Sequence, residues 1–353
     1  MQDDKQSKDF KYDVGMYGGC FDPLHLGHLY TIERAASECK ELWLVLSWSK
    51  TRDHVEWKHR LAHLKKAAEC YPNVQVFGVE DSCATKALYN TGDNWEVGAR
   101  EIKSKIGKHI DVVYCSDEYD VEDSPYKRCY PDSKLIFIDR SLYKCSSSEI
   151  RQDPFKHWDY IPTFVRPDFV KKILLVGHES TGKTTLCKAL SSLFRTKCVL
   201  EYGREVCERA GGEKLMSSED FQEIVFQHSL DIMRSAREAN KLLFIDTDQL
   251  TTAIFSEQNK IAGWSSDFQL VGKLRPKFDL VLFMEPDVSF IQDGLRNELR
   301  NSFAERKRFS EVIKALYAQE CYRDGVEMIC IDGDYHTRLE KCREIIKEKW
   351  PSA

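Results

Sequence analysis

The sequence predicts an α/β protein of two domains, each organised on a parallel β-sheet. Three observations carry that expectation. Short apolar runs (residues 14–17, 42–46, 74–79, 111–115 and 135–138, then 173–176, 241–245, 279–284 and 326–331) alternate with helical stretches, the signature of strand–helix–strand units. Two of these runs end in glycine turns that open helices: Gly18-Gly19 ahead of His25-Leu-Gly-His28, and Gly177 ahead of Gly182-Lys183-Thr184. Between the two halves, residues 151–167 hold three prolines and four aromatics, which cut any long helix and favour a packed joint. The expected partition is a frayed tail at 1–13, a first domain at 14–167 that includes the joint, and a second domain at 168–353.

Length supports two cores, since 353 residues exceed what one hydrophobic core usually organises. A net charge of −5 argues against a chain built chiefly to grip nucleic acid, and no nucleic-acid partner is expected. No apolar run approaches the ~18 residues that suggest a membrane span, so no membrane insertion is expected. The polar first eleven residues lack the apolar centre of a signal peptide. Thirteen cysteines occur without a C-x-x-C or zinc-type spacing, which reads as reduced thiols in the cytoplasm.

The second glycine turn has the more specific chemistry. Gly177-His-Glu179-Ser180-Thr181-Gly182-Lys183-Thr184-Thr185 follows a buried strand and reads G-x-x-x-x-G-K-T. Its glycines let backbone N–H groups turn onto phosphate oxygens, and the following helix N-terminus adds positive potential. Lys183 is expected on the β/γ-phosphates and the Thr184 hydroxyl on Mg²⁺, so the second half is expected to be a P-loop domain that binds a nucleoside triphosphate. Asp246, at the tip of a parallel strand, is expected to support Mg²⁺. Asp248 is expected to orient or deprotonate an acceptor hydroxyl, with helix capping as the ordinary alternative. Arg296 and Arg300, in a basic run, are expected in a lid over ATP; an exposed charged helix would read the same way.

In the first half, His25 and His28 stand three apart at a helix entrance, where both can face one point beside the positive helix end. Imidazoles so placed suit charge building on a phosphoryl group. Gly18 and Gly19 allow close backbone approach. Ser116 ends the fourth strand, at the edge where ligands bind in open α/β sheets. Arg60 is a possible phosphate contact or a solvated surface residue.

Gly18-Gly19-Cys-Phe21-Asp-Pro-Leu-His25-Leu-Gly-His28 resembles the signature of the nicotinamide-nucleotide and phosphopantetheine adenylyltransferases. Their second motif is matched by Ser146-Ser-Ser148-Glu-Ile-Arg151, with Ser148 where Thr is commoner; by itself that stretch reads equally as a capped helix. The run from Ser146 through Gly177–Thr184, then Glu201-Tyr202-Gly-Arg204-Glu and Ile-Asp246-Thr-Asp248, resembles the NadR-type bifunctional enzymes, which join an NMN adenylyltransferase to a ribosylnicotinamide kinase. The resemblance implies a Rossmann-like nucleotidyltransferase domain followed by a P-loop kinase domain. It implies nicotinamide riboside, NMN, ATP and NAD as the small-molecule partners, with His25, His28, Arg151, Lys183 and Asp248 in catalysis. Gly18, Gly19, Phe21, Ser146, Ser148 and Arg151 would then hold ATP for adenylyl transfer. NMN would meet Trp95, Arg60 and Ser116, Trp95 stacking on its ring unless it is a core tryptophan. Glu201, Tyr202, Arg204 and Asp248 would meet the riboside, Tyr202 by stacking. A homo-oligomer is expected. Many members also carry an N-terminal helix-turn-helix that binds DNA; only about 13 residues precede the first strand here, so none is expected. Two alternatives are a kinase whose first domain binds nucleotide without turnover, and an NAD- or ATP-sensing regulator.

Overall fold

The computed structural model describes residues 10–50, 53–81, 92–139, 143–212, 215–258, 274–288 and 303–353. The chain divides into two compact units, Met1–Asp168 and Phe169–Ala353. Both are parallel α/β sheets.

The first unit runs β1 (Tyr12–Gly19), α1 (Leu26–Glu38), β2 (Cys39–Trp48), α2 (Trp57–Ala68), β3 (Val74–Glu80), α3 (Gly92–Ile106), β4 (Val112–Ser116), α4 (Pro125–Cys129), β5 (Lys134–Ile138) and α5 (Ser147–Gln152). Its strands lie in the order β3-β2-β1-β4-β5, all parallel. Chain direction across the sheet reverses between β1 and β4, which leaves a crevice beyond their carboxyl ends. The flanks of β1 and β2 reach further than their apolar centres suggest, because Tyr12 pairs with Cys39 and Gly19 with Leu46. Gly15 makes that close approach possible: a Cβ there would lie 2.3 Å from Cys39 Sγ. The joint is packed, with Phe155, Trp158, Ile161 and Val165 all buried.

The second unit runs β6 (Lys171–Gly177), α6 (Lys183–Leu193), β7 (Lys197–Val199), α7 (Gly203–Ala210), α8 (Ser218–Glu238), β8 (Leu242–Asp246), α9 (Gln249–Gln258), β9 (Leu280–Met284), α10 (Phe303–Asp324), β10 (Met328–Ile331) and α11 (Tyr335–Lys349). The order is β10-β9-β6-β8-β7, again all parallel. β6, β8 and β9 are the central strands, and Ile173–Val176, Leu242–Ile245 and Leu280–Met284 are almost wholly withdrawn from water. Strands buried on both faces read as continuous apolar runs, which is why the sequence showed them clearly. The phosphate-loop strand β6 lies directly beside β8, so the end of one meets the end of the other. No described helix is long and apolar enough to cross a membrane.

Candidate functional sites

In the first unit the turn after β1 and the start of α5 enclose a cavity of about 540 Å³. His25 is the residue preceding α1, and His28 is in its first turn. The His25 backbone N–H donates to His28 Nδ1 (3.2 Å), while the His25 side chain accepts from the His28 backbone N–H. The rings stack with centroids 3.7 Å apart. Because His28 Nδ1 accepts, a neutral His28 carries its proton on Nε2 and can donate it to an anion. Gly27 permits the stack, since a Cβ there would come within 3.1 Å of the His25 ring. Phe21 holds a left-handed φ of 45°, costly for an aromatic residue, and is fixed by edge contacts to Tyr17 and His28 (5.4 and 5.0 Å).

Asp22 is the organiser of this turn. Its carboxylate accepts from the backbone N–H groups of His54 (3.1 Å) and Val55 (3.0 Å), and its carbonyl accepts from Arg151. Ser147 donates to the Pro23 carbonyl (3.0 Å), and Arg151 donates to Ser148 Oγ (3.1 Å). The two motifs, about 120 residues apart, therefore form one wall. Ser146 also caps α5, accepting from Glu149 N (3.2 Å), so the helix-cap reading and the cavity-lining position coexist.

In the second unit a cavity of about 330 Å³ is lined by residues 179–185 of the phosphate loop and by Glu201, Arg204, Phe221, Thr247 and Phe255 among others. Gly177 has φ 144°, and a Cβ there would meet the Met284 carbonyl at 2.6 Å, so only glycine fits the turn. Lys183 Nζ donates back to the Gly177 and His178 carbonyls (3.1 and 3.0 Å). Thr184 Oγ1 donates to Asp246, a buried carboxylate at the end of β8. Arg338, buried at the start of α11, braces the loop by donating to the Thr181 carbonyl, the Glu285 carbonyl (2.8 Å) and Asp287. Glu201 faces the cavity. The side chain is open to solvent through the cavity but crowded by protein on its other sides; that partial desolvation, then the nearby charge of Asp246, raises its carboxyl above the ordinary range, while Lys183 opposes the shift.

The comparisons agree with this layout. A Cytidylyltransferase-like family matches residues 16–153, and the family described as AAA domain matches residues 172–338. The trifunctional NAD biosynthesis/regulator protein NadR of Escherichia coli strain K12 is 30% identical over 96% of this chain and 83% of its own length. The chain belongs to the NadR family. Two solved NadR structures, one in complex with NR and one with NAD and AMP-PNP, match 97% of this chain and 96% of theirs. Their TM-scores are 0.76 and 0.77 at 20% and 22% identity, a likeness of fold.

Within that family frame, the residues expected from sequence fall into three groups. Gly18, Gly19, Phe21, His25, His28, Ser116, Ser146, Ser148 and Arg151 line the first cavity together. Glu179, Ser180, Thr181, Gly182, Lys183, Thr184, Thr185, Glu201 and Arg204 line the second. Trp95 lies in a smaller pocket that shares Gly18, Gly19 and Tyr126 with the first cavity, and it meets Tyr119 and Tyr126 edge-on.

Three expectations are corrected. Arg60 is fully buried and clamps the chain by donating to the Val55 carbonyl (2.9 Å), the Cys20 carbonyl and Asp53, so its guanidinium is committed to protein. Asp248 is buried in an ion pair with Arg275, accepts from Tyr317 and from Thr251 N (3.2 Å), and does not line the cavity. Tyr202 is not among the residues that line the cavity; its hydroxyl donates to Glu223 (2.8 Å) and its ring packs on the cluster that includes Val206, Phe221 and Ile224. Arg296 and Arg300 lie outside the described residues.

The sequence reading missed Asp22, Arg338 and the apolar wall of Met216, Phe221, Ile224 and Phe255. Asp22 alone had a legible signal, its place within the first motif.

Proposed function

We propose that this chain makes NAD in two consecutive steps: phosphorylation of nicotinamide riboside to NMN in the second unit, then adenylylation of NMN by ATP in the first, releasing pyrophosphate. Family membership supports the pair of activities, and the observation that carries it is the presence of two built anion sites. Each has a glycine turn, a helix start and fixed cationic or imidazole donors.

In the kinase step, backbone N–H groups of residues 179–184 hold the phosphates, and Lys183 exchanges its loop carbonyls for phosphate oxygens. Thr184 Oγ and the Asp246 carboxylate, already paired, are hard oxygen donors of the kind that suits Mg²⁺, which takes few protein ligands and keeps waters. When bound, that ion would offset charge on the transferring phosphoryl group. Glu201, rather than Asp248, takes the role of base toward the riboside 5′-hydroxyl. Its raised pKa brings it nearer the working pH, and it faces the cavity. Met216, Phe221, Ile224 and Phe255 give the apolar surface against which a nicotinamide ring would lie.

In the adenylylation step, the NMN phosphate attacks the α-phosphorus of ATP. His28, His25 and Arg151 stabilise charge on the phosphates, with Ser146 and Ser148 beside them. Trp95 and its tyrosine neighbours offer an aromatic wall for the NMN ring, next to the shared Gly18–Gly19 edge. Neither step needs a covalent enzyme intermediate.

The test is direct. Purified protein with MgATP and nicotinamide riboside should give NMN and then NAD, and with MgATP and NMN should give NAD and pyrophosphate. Riboside conversion that stops at NMN would remove the second half of the proposal; no product from either substrate would remove both.

A further inference from the structure

We infer that Thr247 is a positioning residue of the kinase site, whose hydroxyl aims the Asp246 carboxylate; the inference rests on the reading of Thr184 and Asp246 as the donors for Mg²⁺. Thr247 directly follows β8 and lines the second cavity. Its φ is 73°. Left-handed backbone crowds Cβ against the following carbonyl, and a β-branched residue there is a true outlier. Glycine would make the same turn without that cost. The turn itself is held from two sides. The Thr247 N–H donates to the Leu175 carbonyl on β6 (3.0 Å), and the Thr247 carbonyl accepts from His228 Nε2 on α8 (3.0 Å). Both bonds use backbone atoms of Thr247, so they account for the conformation and not for the choice of threonine.

The side chain supplies the reason. Thr247 Oγ1 donates to Asp246 Oδ1 (3.2 Å), while Thr184 Oγ1 donates to Asp246 Oδ2. Each oxygen of this fully buried carboxylate therefore takes one hydroxyl, from the end of β8 and from the first turn of α6. In a continued strand, residue 247 would point to the opposite face of the sheet from Asp246. The left-handed turn brings the two side chains together, and that is what its cost secures. Groups that hydrogen-bond a carboxylate ligand fix its orientation, and losing one typically costs about 10–100-fold in metal affinity or activity.

Substitutions at 247 separate the hydroxyl from the backbone. Thr247→Ser keeps the hydroxyl, Thr247→Ala removes it and keeps a Cβ in left-handed backbone, and Thr247→Gly removes both. Mg²⁺ is titrated at fixed ATP and read two ways: by the riboside kinase rate, and without riboside by the shift that MgATP gives the melting transition of the second unit. The serine variant should stay within about threefold of wild type, and the alanine and glycine variants should each need about 10–100-fold more Mg²⁺. Melted without ATP or Mg²⁺, the glycine variant should unfold at a higher temperature than the alanine variant, because only glycine relieves the turn. A residue kept for the turn alone would give a glycine variant with the wild-type Mg²⁺ requirement. That result, an alanine variant with the wild-type requirement, or a glycine variant that melts no higher than alanine would overturn the proposal. Asp246→Asn tests the reading beneath it. If Asp246→Asn leaves the Mg²⁺ requirement unmoved, that reading falls and the inference with it; if Asp246→Asn raises the requirement and Thr247→Ala does not, the inference alone is overturned.

Discussion

Asp248→Asn separates a buried structural ion pair from a catalytic base. The carboxylate is 1% exposed, accepts from Arg275, Tyr317 and Thr251 N, and leaves the cavity wall to Thr247, Thr251 and Thr252. Asparagine keeps the shape and can still accept from Tyr317, but it leaves the nearly buried Arg275 without its main counter-charge. Breaking such a pair costs roughly 3–5 kcal/mol. Arg275 retains Glu320 at 3.2 Å, which puts the loss at the lower end, about 3 kcal/mol. For a unit the size of Phe169–Ala353, about 2–4 °C of Tm per kcal/mol predicts a fall of about 6–12 °C in its melting transition. Calorimetry reads that shift, and the riboside kinase assay below the transition should stay within about tenfold of wild type, short of the ~10²–10⁴ that a lost general base costs. Adding Arg275→Met should recover part of the stability, because both charges are then gone. An unchanged Tm with a kinase rate down by about a thousandfold would return Asp248 to the role of base and refute this account.

Glu201→Gln should show the converse, a loss of about 10²–10⁴ in kinase kcat with the fold intact, checked by circular dichroism; a retained rate would remove Glu201 as base. Its raised pKa sets the sign of the pH effects. The wild-type kinase rate should fall as pH drops through the raised value. Ionising Glu201 costs stability as pH rises from the ordinary Glu range to that value, so the Gln variant should melt higher than wild type above that window and equally below it. Lys183→Ala should abolish NMN formation from the riboside and leave NMN-to-NAD conversion near normal; equal loss of both in product chromatography would contradict separate sites. His28→Ala should slow pyrophosphate release from NMN and ATP by about a hundredfold and spare the kinase step.

The chain order by itself determined the two parallel-sheet halves and the lining of both anion cavities by residues 18–28 and 179–185. In each case strand, turn and helix start are contiguous, so spacing along the chain is spacing in space. The match of residues 146–151 to a known second motif foretold one further wall, but only folding joined it to Asp22 and Pro23. What the tertiary structure alone decided is which charged side chains are available to a ligand. Arg60 is captured by the Val55 carbonyl and Asp53 in the turn just before its helix and by the Cys20 carbonyl, 40 residues back. Asp248 is captured by Arg275 and Tyr317, 27 and 69 residues further along. A lone Arg or Asp beside a motif carries no local mark of its partner. Desolvation and pairing are set by how a turn folds back and by which distant segments meet it when the sheet is assembled, and those contacts turned two expected ligand-binding residues into braces while leaving Glu201 facing the cavity.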